Sequence, residues 1–264
     1  MSAVYSVKEI YIYPIKSLAG ISLESANAEE MGFENDRRWM LINSENVHVT
    51  QREYPIMSQF YPQIAGDKIQ IAFEGETHEF LINESLETPI ASKVWEDKSE
   101  VFEVNKNSSK WFSDKLGFEC RLVKINKIGA RKHESSRTQE TYNVSLADGY
   151  PYLLIGTESL DFLNSKLEEK ITIKRFRPNI VVSTKNAHEE DNFKTFAIGG
   201  VQFKNIKPCG RCIMVNNDPQ KGVIKKEPLK TLSKYRNVDN SVLFGTNIVS
   251  LNSGIIKVGD EVVF

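Results

Sequence analysis

The sequence predicts a β-rich α+β protein, a barrel-like set of strands decorated by few, short helices. Three observations lead there. Short segments alternating apolar and polar residues recur along the chain, the period-two signature of strands. Only three segments carry the spacing of an amphipathic helix. Helices are few and short while strands are many, which argues against a doubly wound sheet. The 264 residues suffice for one large domain or two small ones, and 40% hydrophobic with 26% charged residues is ordinary for a folded chain.

Taken in order, Ile10 and Ile12 alternate with Tyr11 and Tyr13 until Pro14 ends the strand. Residues 39–42 form an apolar run before a turn-like cluster at 43–46. Ile69, Ile71 and Phe73 alternate with Gln70, Ala72 and Glu74; a turn at Gly75 and a second run at 79–82 complete a hairpin. The polar, proline-bearing stretch 83–93 marks a domain boundary, dividing an N-terminal β domain (1–90) from a second domain (91–264). Ser109 is expected to cap a helix through Trp111, Phe112 and Leu116 that stops at Gly117. Thr157 is expected to cap another, with Leu160, Leu163 and Leu167 on one face. Pro228 opens a third, with Leu229, Leu232 and Tyr235 spaced by three. Further strands are expected at 152–156, 180–182, 196–203, 242–250 and 255–264, the last interrupted by a turn at Val258-Gly259-Asp260.

Lysine plus arginine number 34 against 35 aspartates and glutamates, so no net charge points to nucleic acid or to an anionic membrane as a partner. No apolar run approaches the roughly 20 residues that span a bilayer, and residues 1–8 lack a basic-then-apolar leader. The expected compartment is the cytoplasm. The three cysteines, Cys120, Cys209 and Cys212, cannot all pair, and they are too few for a plant-type iron–sulfur cluster or a four-cysteine zinc site. Residues 126–143 have almost no apolar periodicity but carry Lys127, Arg131, Lys132, His133 and Arg137. They are expected to form a loop, either solvated or a basic lid over an anionic ligand.

The stretch Lys207-Pro208-Cys209-Gly210-Arg211-Cys212 carries most of the chemical information. A Cys-x-x-Cys pair can be half a zinc site, a redox pair, a source of one thiolate for a metal brought by a cofactor, or two small buried apolar residues. Scattered histidines weaken the zinc reading, and the turn-like residues 216–222 that follow weaken the thioredoxin-like one. Lys207 and Arg211, as positive neighbours, favour a thiolate. In Tyr13-Pro14-Ile15-Lys16-Ser17-Leu18-Ala19-Gly20, a cation, a hydroxyl and a turn suit the gripping of a phosphate. Arg37, in Asp36-Arg37-Arg38-Trp39, offers a planar guanidinium; Arg177-Pro178-Asn179 offers another with an amide. Asp148, in Asp148-Gly149-Tyr150-Pro151, reads as a turn residue or as a proton donor or acceptor beside a substrate. Phosphate-loop, dinucleotide and nucleophile-elbow motifs are absent.

These motifs, taken in order with Leu146-Ala147-Asp148-Gly149-Tyr150-Pro151, Arg175-Phe176-Arg177-Pro178-Asn179-Ile180, Asp218-Pro219, Lys226-Glu227-Pro228-Leu229 and Ile256-Lys257-Val258-Gly259-Asp260, resemble the MOSC family nearly end to end. Within it they resemble the branch of the mitochondrial amidoxime-reducing component and its bacterial YcbX-like relatives. The resemblance implies a MOSC β-barrel packed with an N-terminal MOSC-type β domain, and a molybdenum–molybdopterin cofactor between them. It implies Cys212 as the metal's protein thiolate. Lys16, Ser17, Arg37 and Arg177 would contact the cofactor's phosphate or pterin, with Asn179 and Arg211 in the same shell and Asp148 on the substrate side. It implies reduction of N-hydroxylated small molecules such as amidoximes and hydroxylamines. With no cysteines to spare for a ferredoxin-like domain, electrons are expected from a separate flavoprotein, cytochrome or ferredoxin. Gly149 and Tyr150 stand where animal members have small hydroxyl residues, and no membrane anchor is expected. MOSC modules also resemble the C-terminal part of molybdenum-cofactor sulfurases, which leaves a cofactor or sulfur carrier without turnover as the alternative. The pyridoxal-phosphate domain of those enzymes enters only as a family-level association, since 264 residues are too few to contain it.

Overall fold

The structure, a computed structural model, describes residues 5–126, 131–135 and 137–264. Among the hydrophobic clusters of the described residues the two largest organise it, and the chain passes between them early. The larger sheet has nine strands. Its centre is Tyr152–Gly156, which pairs parallel with Ile180–Val182 and antiparallel with Ser241–Ser250. Every residue of Tyr152–Gly156 is buried, which explains its unbroken apolar sequence. Val7–Ile12 continues the sheet beyond Ile180–Val182, and Val201–Arg211, Thr195–Ile198 and Val262–Val263 continue it beyond Ser241–Ser250. A bridge from Ser6 to Glu261, with Val262 N donating to Tyr5 O at 2.8 Å, brings the last strand back against the first. The sheet thus curls around Ile10, Ile12, Phe33, Leu154, Phe203 and Ile248.

The second core lies under a four-stranded sheet with the order Trp39–Asn43, Cys120–Lys124, Asp97–Glu103, Pro89–Val94, and under the three-stranded meander Tyr61–Ala65, Lys68–Phe73, Glu76–Leu81. Trp39, Phe60, Phe73, Phe112 and Leu122 fill it, Phe60 and Phe73 stacking with centroids 3.9 Å apart. Residue 90, where the sequence places the change of domain, lies inside the edge strand Pro89–Val94 of this sheet. Ile10 and Ile12 belong to the first core and Ile15 and Leu18 to the second, so residues 13–18 cross the seam.

The helices are placed differently from expectation. Lys106–Leu116 begins before Ser109, because Asn105 accepts the Ser108 amide at 2.7 Å and is the better cap. The Ser109 hydroxyl instead donates to Glu103 at 2.8 Å. Gly117 ends the helix at φ 77°, a left-handed geometry that favours glycine. The helix Thr157–Asn164 is capped at Gly156, not Thr157, and closes before Leu167. A side chain at 156 would come within 2.7 Å of Glu190 and Thr184. The third helix is the single turn Leu229–Leu232, and Tyr235 lies beyond it.

Two further expectations are corrected. The strand expected at 196–203 is instead a hairpin, Thr195–Ile198 turning at Gly199-Gly200 into Val201–Arg211, and the second strand's register against Ser241–Ser250 shifts near Lys207 and Pro208. Such bulges accommodate a proline, which has no N–H to donate. Where it is described, segment 126–143 is not a patternless loop but a largely exposed short hairpin with Arg131 buried at its base; Lys127 falls outside the described residues. Lys132–Glu134 and Thr141–Asn143 pair as a short hairpin. Arg131 is fully buried: it donates to Ser145 O at 2.8 Å, to Ala147 O, to Asp148 O at 3.1 Å and to Asp97 at 2.8 Å. Three inward-facing carbonyls of one loop need donors, and a guanidinium has five. Among the described residues no helix is long and apolar enough to cross a membrane.

Candidate functional site

A cleft of 260 Å³ opens at the seam between the cores. Lys16, Ser17, Arg37, Asp148, Arg177, Asn179, Arg211 and Cys212, the eight residues singled out from the sequence, all line it. Backbone bonds explain the convergence. Arg37 N donates to Tyr13 O at 2.9 Å, Lys16 N to Trp39 O at 2.7 Å, and Leu146 N to Arg37 O at 2.9 Å. Tyr11 N donates to Asn179 O at 2.9 Å. Segments more than a hundred residues apart are therefore laced together along one edge.

Asp36 is the hub of this lacing and is fully buried. One carboxylate oxygen accepts Tyr13 N at 2.7 Å. The other accepts Arg37 at 2.5 Å and the Asn179 amide at 3.1 Å. Asn179 in turn accepts from Arg37 at 3.1 Å and from Leu153 N at 3.2 Å. The Arg37 and Arg177 guanidiniums lie 4.5 and 4.1 Å from the centre of the Tyr13 ring, which holds both cations on its π system. Burial, reinforced by Arg37 beside it, lowers Arg177 to about 10.

The thiol belongs to a second set of contacts in the same cleft. Arg52 donates to Cys212 Sγ at 3.1 Å and stacks 4.2 Å from the centre of Trp95. The Trp95 indole N–H donates to Asp148 Oδ1 at 3.3 Å, and Lys16 Nζ donates to the same oxygen and to Leu146 O at 3.0 Å. Burial pushes Lys16 down to about 8, although Asp148 opposes this. The enclosing wall opposes ionisation of Asp148, but Lys16, Arg52 and the indole N–H hold its carboxyl well below the usual carboxylate range. Asp148 is a charged acceptor at neutral pH. Its side chain is still 59% exposed through the cleft mouth. Four cleft residues other than glycine have left-handed backbones: Ser17 (φ 68°), Arg37 (50°), Trp95 (57°) and Arg177 (55°). Such conformations cost of order 1 kcal/mol each and persist where tertiary contacts demand them.

Residues 141–263 match the MOSC domain and residues 4–119 match the MOSC N-terminal beta barrel domain. The chain belongs to the MOSC family. This MOSC protein is 32% identical to mitochondrial amidoxime-reducing component 1 of Homo sapiens, over 99% of this chain and 83% of that one. It is 32% identical to mitochondrial amidoxime reducing component 2 of Bos taurus, over 99% and 84%. It is 30% identical to the molybdenum cofactor sulfurase of Arabidopsis thaliana, over 97% of this chain and 35% of that one. The MOSC cleft draws Lys16, Ser17, Arg37, Arg52 and Trp95 from the first matched segment and Asp148, Arg177, Asn179, Arg211 and Cys212 from the second.

Sequence reasoning missed Arg52, Trp95 and the hub role of Asp36. The run at 90–94 followed by Trp95-Glu96-Asp97 is a hairpin-turn signal that would have marked Trp95; nothing local marks Arg52. Lys207, expected to act on the cysteines, lies instead over the Tyr150 ring at 5.4 Å. Arg211 donates to Cys209 Sγ at 3.1 Å and to Phe176 O at 2.6 Å. Cys209 sits in a strand, not at a helix N-terminus, unlike a thioredoxin-like pair. Cys120 is buried in the other core, which pushes its thiol up to about 11. Among the described residues no group of three or more histidines, cysteines and carboxylates is placed to hold a metal ion.

Proposed function

We propose that this protein binds a molybdenum–molybdopterin cofactor in the seam cleft and reduces N-hydroxylated compounds, amidoximes or hydroxylamines, with electrons from a separate donor protein. The carrying observation is a partly buried thiol, Cys212, in a cleft ringed by guanidiniums where, among the described residues, no group of three or more histidines, cysteines and carboxylates is placed to hold a metal by itself. A metal held there must bring most of its ligands with it, as a dithiolene cofactor does. The donor set fits the rest of such a group. Arg37, Arg177 and Arg211 supply planar cationic N–H groups, Ser17 a hydroxyl and Asn179 an amide, all suited to a phosphate or a polar heterocycle. A second cavity of 450 Å³ shares Arg175, Arg177 and Met214 with the first, which extends the room available.

When bound, the cofactor supplies a redox-active metal able to take an oxygen atom from substrate, and Cys212 would be its protein thiolate. The overall change is R–NHOH plus two electrons and two protons to R–NH₂ and water. Asp148, ionised at neutral pH, is placed to accept a hydrogen bond from a substrate N–H or O–H. Lys16, with a pKa near 8, holds the neighbouring proton at Nζ.

Elemental analysis of protein expressed with an intact cofactor pathway tests the reading. Wild type and Cys209→Ala should carry near-stoichiometric molybdenum, and Cys212→Ala sharply less. Absence of the metal from all three would overturn the assignment. An amidoxime or hydroxylamine assay with a supplied reductant then separates turnover from carriage. The similarity to a cofactor sulfurase makes carriage the second reading, and a loaded protein with no reductase activity that passes its cofactor to an acceptor would favour it.

A further inference from the structure

Trp95 is unusual for a large aromatic residue. It is 40% exposed, and it occupies the turn between Pro89–Val94 and Asp97–Glu103 with φ 57°, a backbone geometry that bulky residues rarely adopt. The fold holds it there by three contacts. Arg52 covers one face at 4.2 Å. His48 packs edge-on at 5.0 Å. The indole N–H is committed to Asp148. Arg52 also reaches Cys212 Sγ, so the indole is fixed relative to the thiol. Trp95 lines the cleft.

The acceptor beside it is equally specific. Lys16 and Trp95 both donate to Asp148 Oδ1, and among the described residues no donor is assigned to Oδ2. A rigid indole thus stands next to an ionised oxygen with capacity to spare. A planar N–H-bearing head can donate to Oδ2 while a flat conjugated substituent lies against the indole. A puckered substituent of equal size makes the same hydrogen bond but loses the ring contact.

We propose that Trp95 is a specificity-determining residue that selects substrates whose reducible nitrogen is conjugated to a flat ring. The inference rests on the reductase reading above, and the experiment separates the two. Turnover of benzamidoxime and cyclohexanecarboxamidoxime would be measured on molybdenum-loaded wild type, Trp95→Phe and Trp95→Leu. Calorimetric affinities of the same proteins for benzamidine and cyclohexanecarboxamidine, which need no turnover, would be measured alongside. Aromatic contacts of this kind correspond to about a 3- to 10-fold preference. The flat-over-puckered ratio of kcat/KM, and of affinity, should fall by that factor in Trp95→Leu and be largely kept in Trp95→Phe. If Trp95 merely props Arg52 and Asp148, both compounds weaken together in Trp95→Leu and the ratio stays constant, which overturns the proposal. If wild type turns over neither compound nor a hydroxylamine, the reductase reading fails, and the amidine affinity ratio alone decides the role of Trp95.

Discussion

Replacing Asp36 by asparagine keeps the side chain's shape and removes its charge. In wild type the carboxylate accepts Tyr13 N at 2.7 Å, Arg37 at 2.5 Å and the Asn179 amide at 3.1 Å, with no exposure to water. An asparagine can still accept Tyr13 N through its oxygen. Its amide nitrogen then faces two donors, Arg37 and Asn179. Removing one partner of a buried ion pair costs about 3–5 kcal/mol, and a stranded buried donor about 1–3 kcal/mol. The Arg37 side chain is 13% exposed, so water relieves part of this. The expected destabilisation is about 3 kcal/mol, or a Tm lower by roughly 6–12 °C for a chain of this size. Urea unfolding of cofactor-free protein measures it, with the denaturant slope unchanged. Glu29→Gln is the control, since its ion pair with Arg38 is 39% exposed on the carboxylate side and should cost less than about 1 kcal/mol. The double variant Asp36→Asn, Arg37→Met should cost less than the sum of its parts, because it removes the stranded charge. A loss within about 1 kcal/mol for Asp36→Asn, or strict additivity, would refute the view that this carboxylate holds the seam together.

Two further outcomes follow from buried groups. The Tyr13 hydroxyl is buried with no hydrogen-bond partner among the described residues, while its ring carries Arg37 and Arg177. Tyr13→Phe should therefore leave stability within about 1 kcal/mol of wild type, and Tyr13→Leu should lose about 1–2 kcal/mol from the two cation–π contacts; a large loss in the phenylalanine variant would reveal a partner for the hydroxyl. His188 packs against Phe162, Tyr235 and Phe244, and burial with Arg236 nearby lowers it from 6.5 to about 4. The fold favours the neutral ring, so this contribution is fully present above pH 6.5 and is lost as pH falls through 4. Solvent reaches part of this ring, so the effect is about 1–2 kcal/mol, and unfolding measured across that window should show wild type losing more stability than His188→Leu; parallel curves would count against it.

Much of the local architecture was legible in the sequence. The hairpin Lys68–Phe73 with Glu76–Leu81, the buried strand Tyr152–Gly156 and the stop at Gly117 each follow from a period of two, an unbroken apolar run or a glycine where φ is positive. The helix starts were misplaced because several capping residues stand in a row, and tertiary partners chose among them. Ser109 is as good a cap as Asn105 in isolation, but Glu103 and Leu122 N claim its hydroxyl. Chemical type also marked Cys212, Arg37 and Arg177 as residues suited to a soft metal or an anion.

The tertiary structure alone decided that these residues meet. Asp36 ties Tyr13 to Asn179, and Lys16 reaches Asp148 across 132 positions, distances over which no local propensity acts. The basic stretch near residue 131 illustrates the same limit. Its charge suggested a lid, yet Arg131 is fully buried, where it donates to the carbonyls of Ser145, Ala147 and Asp148. Spacing along the chain reports which face of a strand or helix a residue occupies. Which remote carbonyl, carboxylate or thiol will need its protons is settled only when the two cores pack and the seam between them closes.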